Sequence, residues 1–177
     1  MADLLPEFSL TEREFQLFRE LIHAQAGINL GEHKRQLLRA RLAKRLRAHG
    51  FSTFEQYYDH LMHHDSEGEE MLRMVNCITT NKTEFFRESH HFDFLRDHWA
   101  PWITARGRRN NTRKVRIWSA GCASGEEPYS IAIALREALN TAPGWDIRIL
   151  ASDIDTEVLG RAQEGIYPLE QVSAVPR

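Results

Sequence analysis

The feature that most constrains the fold is the alternation of strand-like and helical segments in the last third of the chain. Residues 115–120 predict a buried strand, 121–125 a loop of small residues, and 127–140 a helix rich in apolar side chains. A second strand is expected over 147–151, followed by a helix that ends at Gly165. Strands that alternate with helices form parallel sheets, so this β-α-β-α order predicts the opening of a Rossmann-like doubly wound domain.

The first part of the chain predicts a small bundle of helices instead. Four amphipathic segments follow one another with short connections, over about 10–26, 32–49, 52–62 and 67–77. Apolar side chains recur at helical spacing in each of them, and four such helices are typical of a bundle. A fifth helix is expected over about 84–99, and the polar run 106–111 predicts a solvated turn or linker.

Composition excludes several classes of protein. With 177 residues, of which 42% are apolar and 27% charged, the chain is neither disordered, collagen-like nor a disulfide scaffold. No run approaches the ~20 apolar residues that a membrane crossing needs, and the first residues lack the basic and apolar regions of a secretory signal. Two distant cysteines, Cys77 and Cys122, suit a reducing compartment, so we expect a cytoplasmic protein without membrane insertion.

The formal net charge of −2 conceals one strongly basic helix. The window Glu32–His49 carries seven basic residues and one acid, which gives it a charge of +6. Lys34, Arg41 and Arg45 fall on one helical face, so docking on an acidic partner is one interpretation and a solvated outer face is the other. Nucleic acid is not expected as a partner, because the chain as a whole is mildly acidic and has no recognised base-reading motif.

The loop Gly121–Gly125 and the acid that follows the second strand form a nucleotide-binding pattern. Small residues let a ligand approach the backbone, and Asp153, 28 residues after Gly125, can accept hydrogen bonds from ribose hydroxyls. The G-x-G-x-x-G fingerprint of dinucleotide enzymes is absent, and Glu126 and Glu127 would repel a pyrophosphate. A cationic, phosphate-free nucleoside such as S-adenosyl-L-methionine fits better, while a dehydrogenase and a turn without any ligand remain the alternatives.

No cluster predicts a metal site or a covalent catalyst. His60 and His64 lie four residues apart on one predicted helix, but neither an H-E-x-x-H pattern nor supporting cysteines accompany them. Cys122 is expected to serve as a small side chain in the loop, since no histidine partner for it is evident. Trp118 and Tyr129 are expected to be packing residues, with a position at the border of the bound nucleoside as the alternative for either.

Three sequence motifs follow one another along the chain. They are Asn81–Glu88 (NKTEFFRE), Trp118–Ser130 (WSAGCASGEEPYS) and Ala151–Asp155 (ASDID). In this order they resemble the CheR family, the bacterial chemotaxis receptor (protein-glutamate) O-methyltransferases, and the basic helix resembles part of that family's N-terminal helical domain. The resemblance implies S-adenosyl-L-methionine-dependent methylation of glutamate side chains on the cytoplasmic helices of methyl-accepting chemoreceptors, with S-adenosyl-L-homocysteine as the second product.

The resemblance also implies roles for individual residues. Positions that match the family's cofactor contacts are Asn81, Thr83, Arg87, Glu127 and Asp153. Arg87 is in addition the candidate catalytic residue, pairing with a carboxylate of either the cofactor or the substrate glutamate. In the family the basic helix faces the receptor, which implies docking through Lys34, Arg41, Arg45 and Arg47.

The family's organisation implies a helical receptor-docking domain at 1–78, a linker and helix at 79–114, and a partial methyltransferase domain at 115–177. Two strands of a seven-stranded sheet can be assigned, so we expect a truncated chain that is inactive by itself. Self-association or domain swapping with a second copy is one way to cover the open sheet. The rival interpretation is a non-enzymatic fragment or relative that binds a receptor or a nucleoside without catalysis.

Overall fold

The computed structural model describes residues 8–110, 113–139 and 144–175. The chain divides into two compact units, residues 1–80 and 81–177. This boundary falls inside the segment 79–114 that the sequence indicated as a linker and helix, so residues 81–114 belong to the second unit. None of the helices in the described ranges is both long and apolar enough to cross a bilayer.

The first unit is an all-helical bundle, as expected. Its elements are α1 (Glu12–Ala26), a 3₁₀ turn (Glu32–Lys34), α2 (Arg35–His49), α3 (Phe54–His63) and α4 (Glu69–Ile78). The core combines a stripe of leucines on α2, Leu38, Leu42 and Leu46, with aromatic residues of α1 and α3. The fully buried aromatic residues include Phe15, Phe18, Phe54 and Tyr57. Burying each large apolar side chain contributes roughly 1.5–3 kcal/mol, which outweighs the weak helix propensity of aromatic residues.

Capping side chains decide where α1 and α3 begin. Thr11 caps α1: its Oγ1 accepts from the Glu14 N–H (3.3 Å), and Glu14 Oε2 accepts from the Thr11 N–H (2.8 Å). Helix α3 begins after Thr53, one residue later than the expected start at Ser52. Both positions fit the capping-box pattern, and the register that buries Phe54 favours Thr53.

A buried carboxylate holds α2, α3 and α4 together. Glu70 is 4% exposed and accepts hydrogen bonds from Arg45 Nε (2.8 Å), Arg45 Nη2 (2.5 Å) and the Tyr57 hydroxyl (2.8 Å), while His49 Nε2 lies 3.0 Å from its Oε2. Burial by itself raises the pKa of Glu70, but the hydrogen bonds from Arg45, Tyr57 and His49 outweigh burial and lower this pKa to about 2. Glu70 is therefore ionised at neutral pH, and Arg45 matches its charge.

The second unit is a helical segment followed by a parallel β-α-β-α unit. Its elements are α5 (Ser89–Phe94), a π-helical stretch (Leu95–Trp99), α6 (Ala100–Asn110), β1 (Lys114–Ala120), α7 (Glu126–Ala138), β2 (Asp146–Ser152) and α8 (Thr156–Glu164). β1 and β2 pair in parallel, with Lys114 opposite Asp146 and Ala120 opposite Ser152. The Rossmann-like opening predicted from the sequence is confirmed.

The helix expected over about 84–99 begins later than predicted. Helix α5 starts at Ser89, because Phe86 and Glu88 adopt positive φ values of 55° and 57° that a helix cannot contain. Residues 81–88 therefore form an irregular segment before α5. The Phe86 N–H, which donates to the Ser130 hydroxyl at 3.0 Å, helps to hold this segment in place.

The turn expected over 106–111 is also wrong for the residues that are described. Residues 106–110 complete α6, and residue 111 lies outside the described ranges. Ile103 packs against the apolar core of the unit, and the Arg106 guanidinium lies over the Trp102 ring, 5.4 Å from its centroid. These contacts extend the helix through a run whose composition favours a turn.

One face of the sheet is buried and the other is exposed. Val115 is 2% exposed and packs with Leu135 of α7, whereas Trp118 and Leu150, opposite each other in the register, are 66% and 63% exposed. The expectation of a buried β1 with Trp118 as a packing residue is therefore wrong, because successive side chains of a strand point to opposite faces. The Trp118 indole Nε1 instead donates to the Ser152 hydroxyl at 2.9 Å.

Arg45→Met is expected to destabilise the first unit by about 3–5 kcal/mol, because it leaves the buried Glu70 carboxylate without its cation. Lys44→Met is the matched control: Lys44 is exposed, and its loss should change the free energy of unfolding by at most about 0.5 kcal/mol. Urea denaturation followed by circular dichroism measures both values.

The same pair predicts a pH dependence. The pKa of Glu70 in the folded chain, about 2, lies below the ordinary value of 4.5, so its contribution is complete above pH 4.5 and is lost as the pH falls towards 2. The difference in unfolding free energy between the unaltered chain and Arg45→Met should shrink over that range. Equal destabilisation by the two substitutions, or a difference that does not change with pH, would contradict this role of Glu70.

Candidate functional site

The loop between β1 and α7 is fastened to the end of β2. The backbone N–H groups of Gly121 and Cys122 donate to the Ser152 carbonyl oxygen at 2.8 and 2.9 Å. Gly121, Ala123 and Gly125 have positive φ values of 78°, 47° and 100°, which fold the loop tightly. The loop therefore lies at the carboxyl edge of the sheet, where open α/β proteins bind their ligands.

Asp153 ties this loop to the turn that follows β2. Its Oδ2 accepts from the Ala123 N–H at 2.7 Å, and its Oδ1 accepts from the Asp155 N–H at 2.9 Å. Asp153 is half-buried. The acid predicted to bind a ribose thus lies beside the glycine loop, and two backbone donors fix its position.

The two acids at the start of α7 have different surroundings. Glu126 is 6% exposed, and its Oε2 accepts from the Ser124 hydroxyl at 2.8 Å. Glu127 is exposed, and its Oε1 accepts from the hydroxyl of Ser119 on β1. Of the two acids, Glu127 is therefore the exposed one and Glu126 the buried one.

Arg87 and Glu127 line one cavity of about 560 Å³, together with His90, His91 and Phe94 among others. Arg87 is exposed, and its Nη1 donates to the Lys82 carbonyl at 2.8 Å. The cavity thus brings one cationic and one anionic predicted site residue together.

The other two predicted contacts lie elsewhere in the same unit. The Asn81 side-chain amide donates to Asp155 Oδ2 at 2.6 Å, next to the turn that Asp153 holds. Thr83 lines a second cavity of about 590 Å³, whose acidic side chains are Glu84, Glu126 and Glu170. Arg87 and Glu127 therefore line one cavity, and Thr83 lines a different one. Asn81 lies near Asp153, since both are hydrogen-bonded to Asp155.

Sequence reasoning missed Asp155, Ser119 and Tyr167. Asp155 is 3% exposed and caps α8 by accepting from the Glu157 N–H at 2.9 Å, a role that an aspartate directly before a helical pattern could have indicated. Ser119 is a polar residue on the face of β1 that also buries Val115, and it is 1% exposed. The Tyr167 hydroxyl donates to the Ser124 carbonyl at 2.6 Å, and burial raises the pKa of Tyr167 to about 12.

The four predicted docking residues of the first unit divide into two pairs. Lys34 and Arg47 are exposed, and the Arg47 guanidinium lies 5.3 Å from the Phe8 ring centroid. Arg41 donates to the Thr79 carbonyl at 2.7 Å, and Arg45 is bound to Glu70. Two of the four predicted docking residues, Arg41 and Arg45, thus contribute to the stability of the helical bundle.

Histidines and acids of the described residues do not form any group of three that could hold a metal ion. The rings of His60 and His64 stack at 6.2 Å between centroids, and His63 and His64 lie within 4 Å of Asp59. Exposed pairs of this kind contribute little to stability.

Comparison with known protein families gives the class of protein. The family described as "CheR methyltransferase, SAM binding domain" matches residues 81–177, and "CheR methyltransferase, all-alpha domain" matches residues 13–79. An all-helical unit followed by a Rossmann-like unit is the arrangement that these two matches require. The chain belongs to the CheR methyltransferase family, which confirms the resemblance found in the sequence.

Curated relatives of the chain are named as chemotaxis protein methyltransferases. "Chemotaxis protein methyltransferase 2" of Pseudomonas aeruginosa is 46% identical over 170 residues, which are 96% of this chain and 57% of that protein. "Chemotaxis protein methyltransferase" of Escherichia coli is 41% identical over 173 residues, 97% of this chain and 56% of that protein. The chain thus spans somewhat more than half the length of the curated relatives it matches.

Gly125→Ala is expected to destabilise the second unit by about 1–3 kcal/mol, since the residue has a φ of +100° and an added Cβ would lie 2.6 Å from the Tyr167 hydroxyl and 2.9 Å from Ala162 Cβ. Gly160→Ala is the matched control: it lies inside α8, and its Cβ would have no neighbour within 4 Å. That substitution should stabilise the unit by about 0.5–1 kcal/mol. Chemical denaturation measures both changes, and the same sign for both would contradict the packing described for the loop.

Proposed function

We propose that the chain binds S-adenosyl-L-methionine at the carboxyl edge of its sheet and that its protein methylates glutamate side chains on chemoreceptor cytoplasmic helices. The observation that carries the proposal is that Arg87 and Glu127 line one cavity, in the same unit whose glycine loop is bonded to Asp153. Membership of the CheR methyltransferase family and relatives named chemotaxis protein methyltransferases support it.

Asp153 is proposed to bind the adenosine part of the cofactor. A carboxylate offers about four acceptor positions, and the N–H groups of Ala123 and Asp155 occupy two of them. The remaining positions can accept hydrogen bonds from ribose hydroxyls. The glycine loop beside Asp153 lets the nucleoside approach the backbone, and the neighbouring acids Glu126 and Glu127 disfavour a pyrophosphate in its place.

Arg87 and Glu127 are proposed to bind the amino-acid end of the cofactor. That end carries a carboxylate and an ammonium group, for which one guanidinium and one carboxylate in the same cavity are complementary. Of the two carboxylates considered for Arg87, we therefore assign that of the cofactor. Asn81 and Thr83 remain proposed contacts, and the bond from Asn81 to Asp155 holds Asn81 next to the adenosine side.

The chemistry asks little of these side chains beyond positioning. A glutamate side chain has a pKa of roughly 4.3, so the substrate carboxylate is ionised at neutral pH and needs no general base. The cofactor supplies an electrophilic methyl group when bound. Arg87, Glu127 and Asp153 would fix the direction of that methyl group towards the incoming carboxylate and help to exclude water. A site without a nucleophilic triad suits this reaction.

Receptor docking is proposed for the exposed basic surface of α2 and the turn before it. Lys34, Lys44 and Arg47 are exposed there, whereas Arg41 and Arg45 contribute indirectly by holding α2 to its own bundle. An acidic helical partner would be attracted to this surface. Because such a partner is the cytoplasmic part of a receptor, the proposal also places the protein in the cytoplasm.

Calorimetric titration with S-adenosyl-L-homocysteine tests the cofactor site. Arg87→Ala and Asp153→Ala are each expected to weaken binding at least about tenfold, because each removes a charge-assisted contact. Arg136→Ala on α7, which removes the same charge from an exposed position, is the control and should leave the affinity unchanged. An unaltered chain that does not bind, or equal affinities for all three variants, would contradict the site.

Transfer of a labelled methyl group tests the activity. The product of the full reading frame is expected to place base-labile methyl esters on a cognate receptor fragment, and Arg47→Glu in that product should raise KM for the receptor more than it lowers kcat. That these 177 residues are inactive by themselves stays a prediction of the same assay. Absence of labelled esters with the full product, combined with intact cofactor binding, would favour a binding module instead.

A further inference from the structure

We infer that Ser119 is a positioning residue for cofactor binding, which orients Glu127 towards the ammonium group of the cofactor's amino-acid end. The inference rests on the proposed function. The Ser119 hydroxyl lies on β1 and is not proposed to contact the cofactor itself. Its starting point is the hydrogen bond that Ser119 Oγ donates to Glu127 Oε1.

The Ser119 hydroxyl is buried and therefore needs a hydrogen-bond partner within the protein. Ser119 is 1% exposed and lies on the inner face of β1, the face that also buries Val115. A buried hydroxyl without a hydrogen bond is costly, and an ionised carboxylate is among its strongest acceptors. The Glu127 side chain is therefore drawn inward through one oxygen.

The Glu127 residue as a whole remains accessible, although one of its oxygens is bound to Ser119. Glu127 is exposed, and it lines the cavity that also contains Arg87. With Oε1 bound to Ser119, the side chain has lost much of its rotamer freedom before a ligand arrives, so less freedom is lost on binding. Oε2 is thereby held ready for a cation.

The support for Ser119 is itself rigid. Its backbone lies in the parallel ladder, opposite Ala151 of β2, and Ala120 and the glycine loop follow directly. A side chain on a strand holds its partner more accurately than one on a loop. Ser119 thus transmits the geometry of the sheet to a carboxylate in the first turn of α7.

Two ligands distinguish positioning from a general structural role. S-adenosyl-L-homocysteine carries the amino-acid end, whereas 5′-methylthioadenosine lacks it and keeps the adenosine part. Ser119→Ala is expected to weaken binding of S-adenosyl-L-homocysteine about tenfold and to change the affinity for 5′-methylthioadenosine less than about twofold. Calorimetry on the full 177-residue chain measures both.

Further variants provide the controls. Ser66→Ala removes an exposed hydroxyl from the first unit, outside the unit that contains the proposed cofactor site, and it should leave both affinities unchanged. In a Glu127→Gln background, Ser119→Ala should have a much smaller effect, because the two side chains act together. Ser119→Cys keeps a heavy atom at the γ position but makes it a far weaker donor, and it replaces Ser119→Ala if that variant does not fold.

The outcomes separate this proposal from the one on which it rests. An unaltered chain that binds neither ligand overturns both. An unaltered chain that binds S-adenosyl-L-homocysteine, with Ser119→Ala binding equally well, overturns the role of Ser119 alone. Equal weakening for the two ligands, or full persistence of the effect in the Glu127→Gln background, also overturns it, since the loss would then be structural.

Discussion

The site depends on the hydrogen bonds that join the glycine loop to the end of β2. A loop that reverses within five residues leaves its N–H groups without helical or strand partners, and buried N–H groups must be satisfied. Here Gly121 and Cys122 donate to the Ser152 carbonyl, and Ala123 donates to Asp153. Because parallel strands end at the same edge, these acceptors lie where the donors need them.

From that junction the other parts of the second unit take their positions. Asp153 also accepts from the backbone of Asp155, whose carboxylate caps α8 and holds the Asn81 amide. On the other side of the loop, the first turn of α7 places Glu127 within hydrogen-bond distance of Ser119. The proposed contacts for the two ends of the cofactor thus belong to one hydrogen-bonded framework. The first unit has its own centre, the buried Glu70, which holds three helices through side chains rather than backbone groups.

Much of the architecture is predictable because it follows from periodicity and from residues with strong local preferences. The leucine stripe of α2, the glycine stop at its end and the strand–loop–helix order after residue 114 all have such signals, and the structure contains them. The late start of α5 has none, since Phe86 and Glu88 adopt positive φ values that their residue types disfavour. Their conformation depends on tertiary contacts that no local pattern reveals.

The candidate site shows the same division. Residue type and spacing indicated Asp153 and the glycine loop, while family resemblance was needed for Asn81, Thr83 and Arg87. The internal use of Arg41 and Arg45 could not be foreseen, because a basic helix has the same sequence pattern whether its charges face solvent or its own bundle. Trp118 was misplaced because an apolar residue type does not by itself reveal on which face of a strand it lies; the exposed Arg116, two positions earlier on the same face, was the available signal.

A crystal structure of the chain with S-adenosyl-L-homocysteine would show directly how the site holds its ligand. We expect the ribose hydroxyls within hydrogen-bond distance of Asp153, and the ammonium and carboxylate groups in contact with Glu127 and Arg87, respectively. We also expect the bond from Ser119 to Glu127 to be retained in the complex. A ligand in the opposite orientation, or one bound in the acidic cavity beside Thr83, would contradict the proposed site.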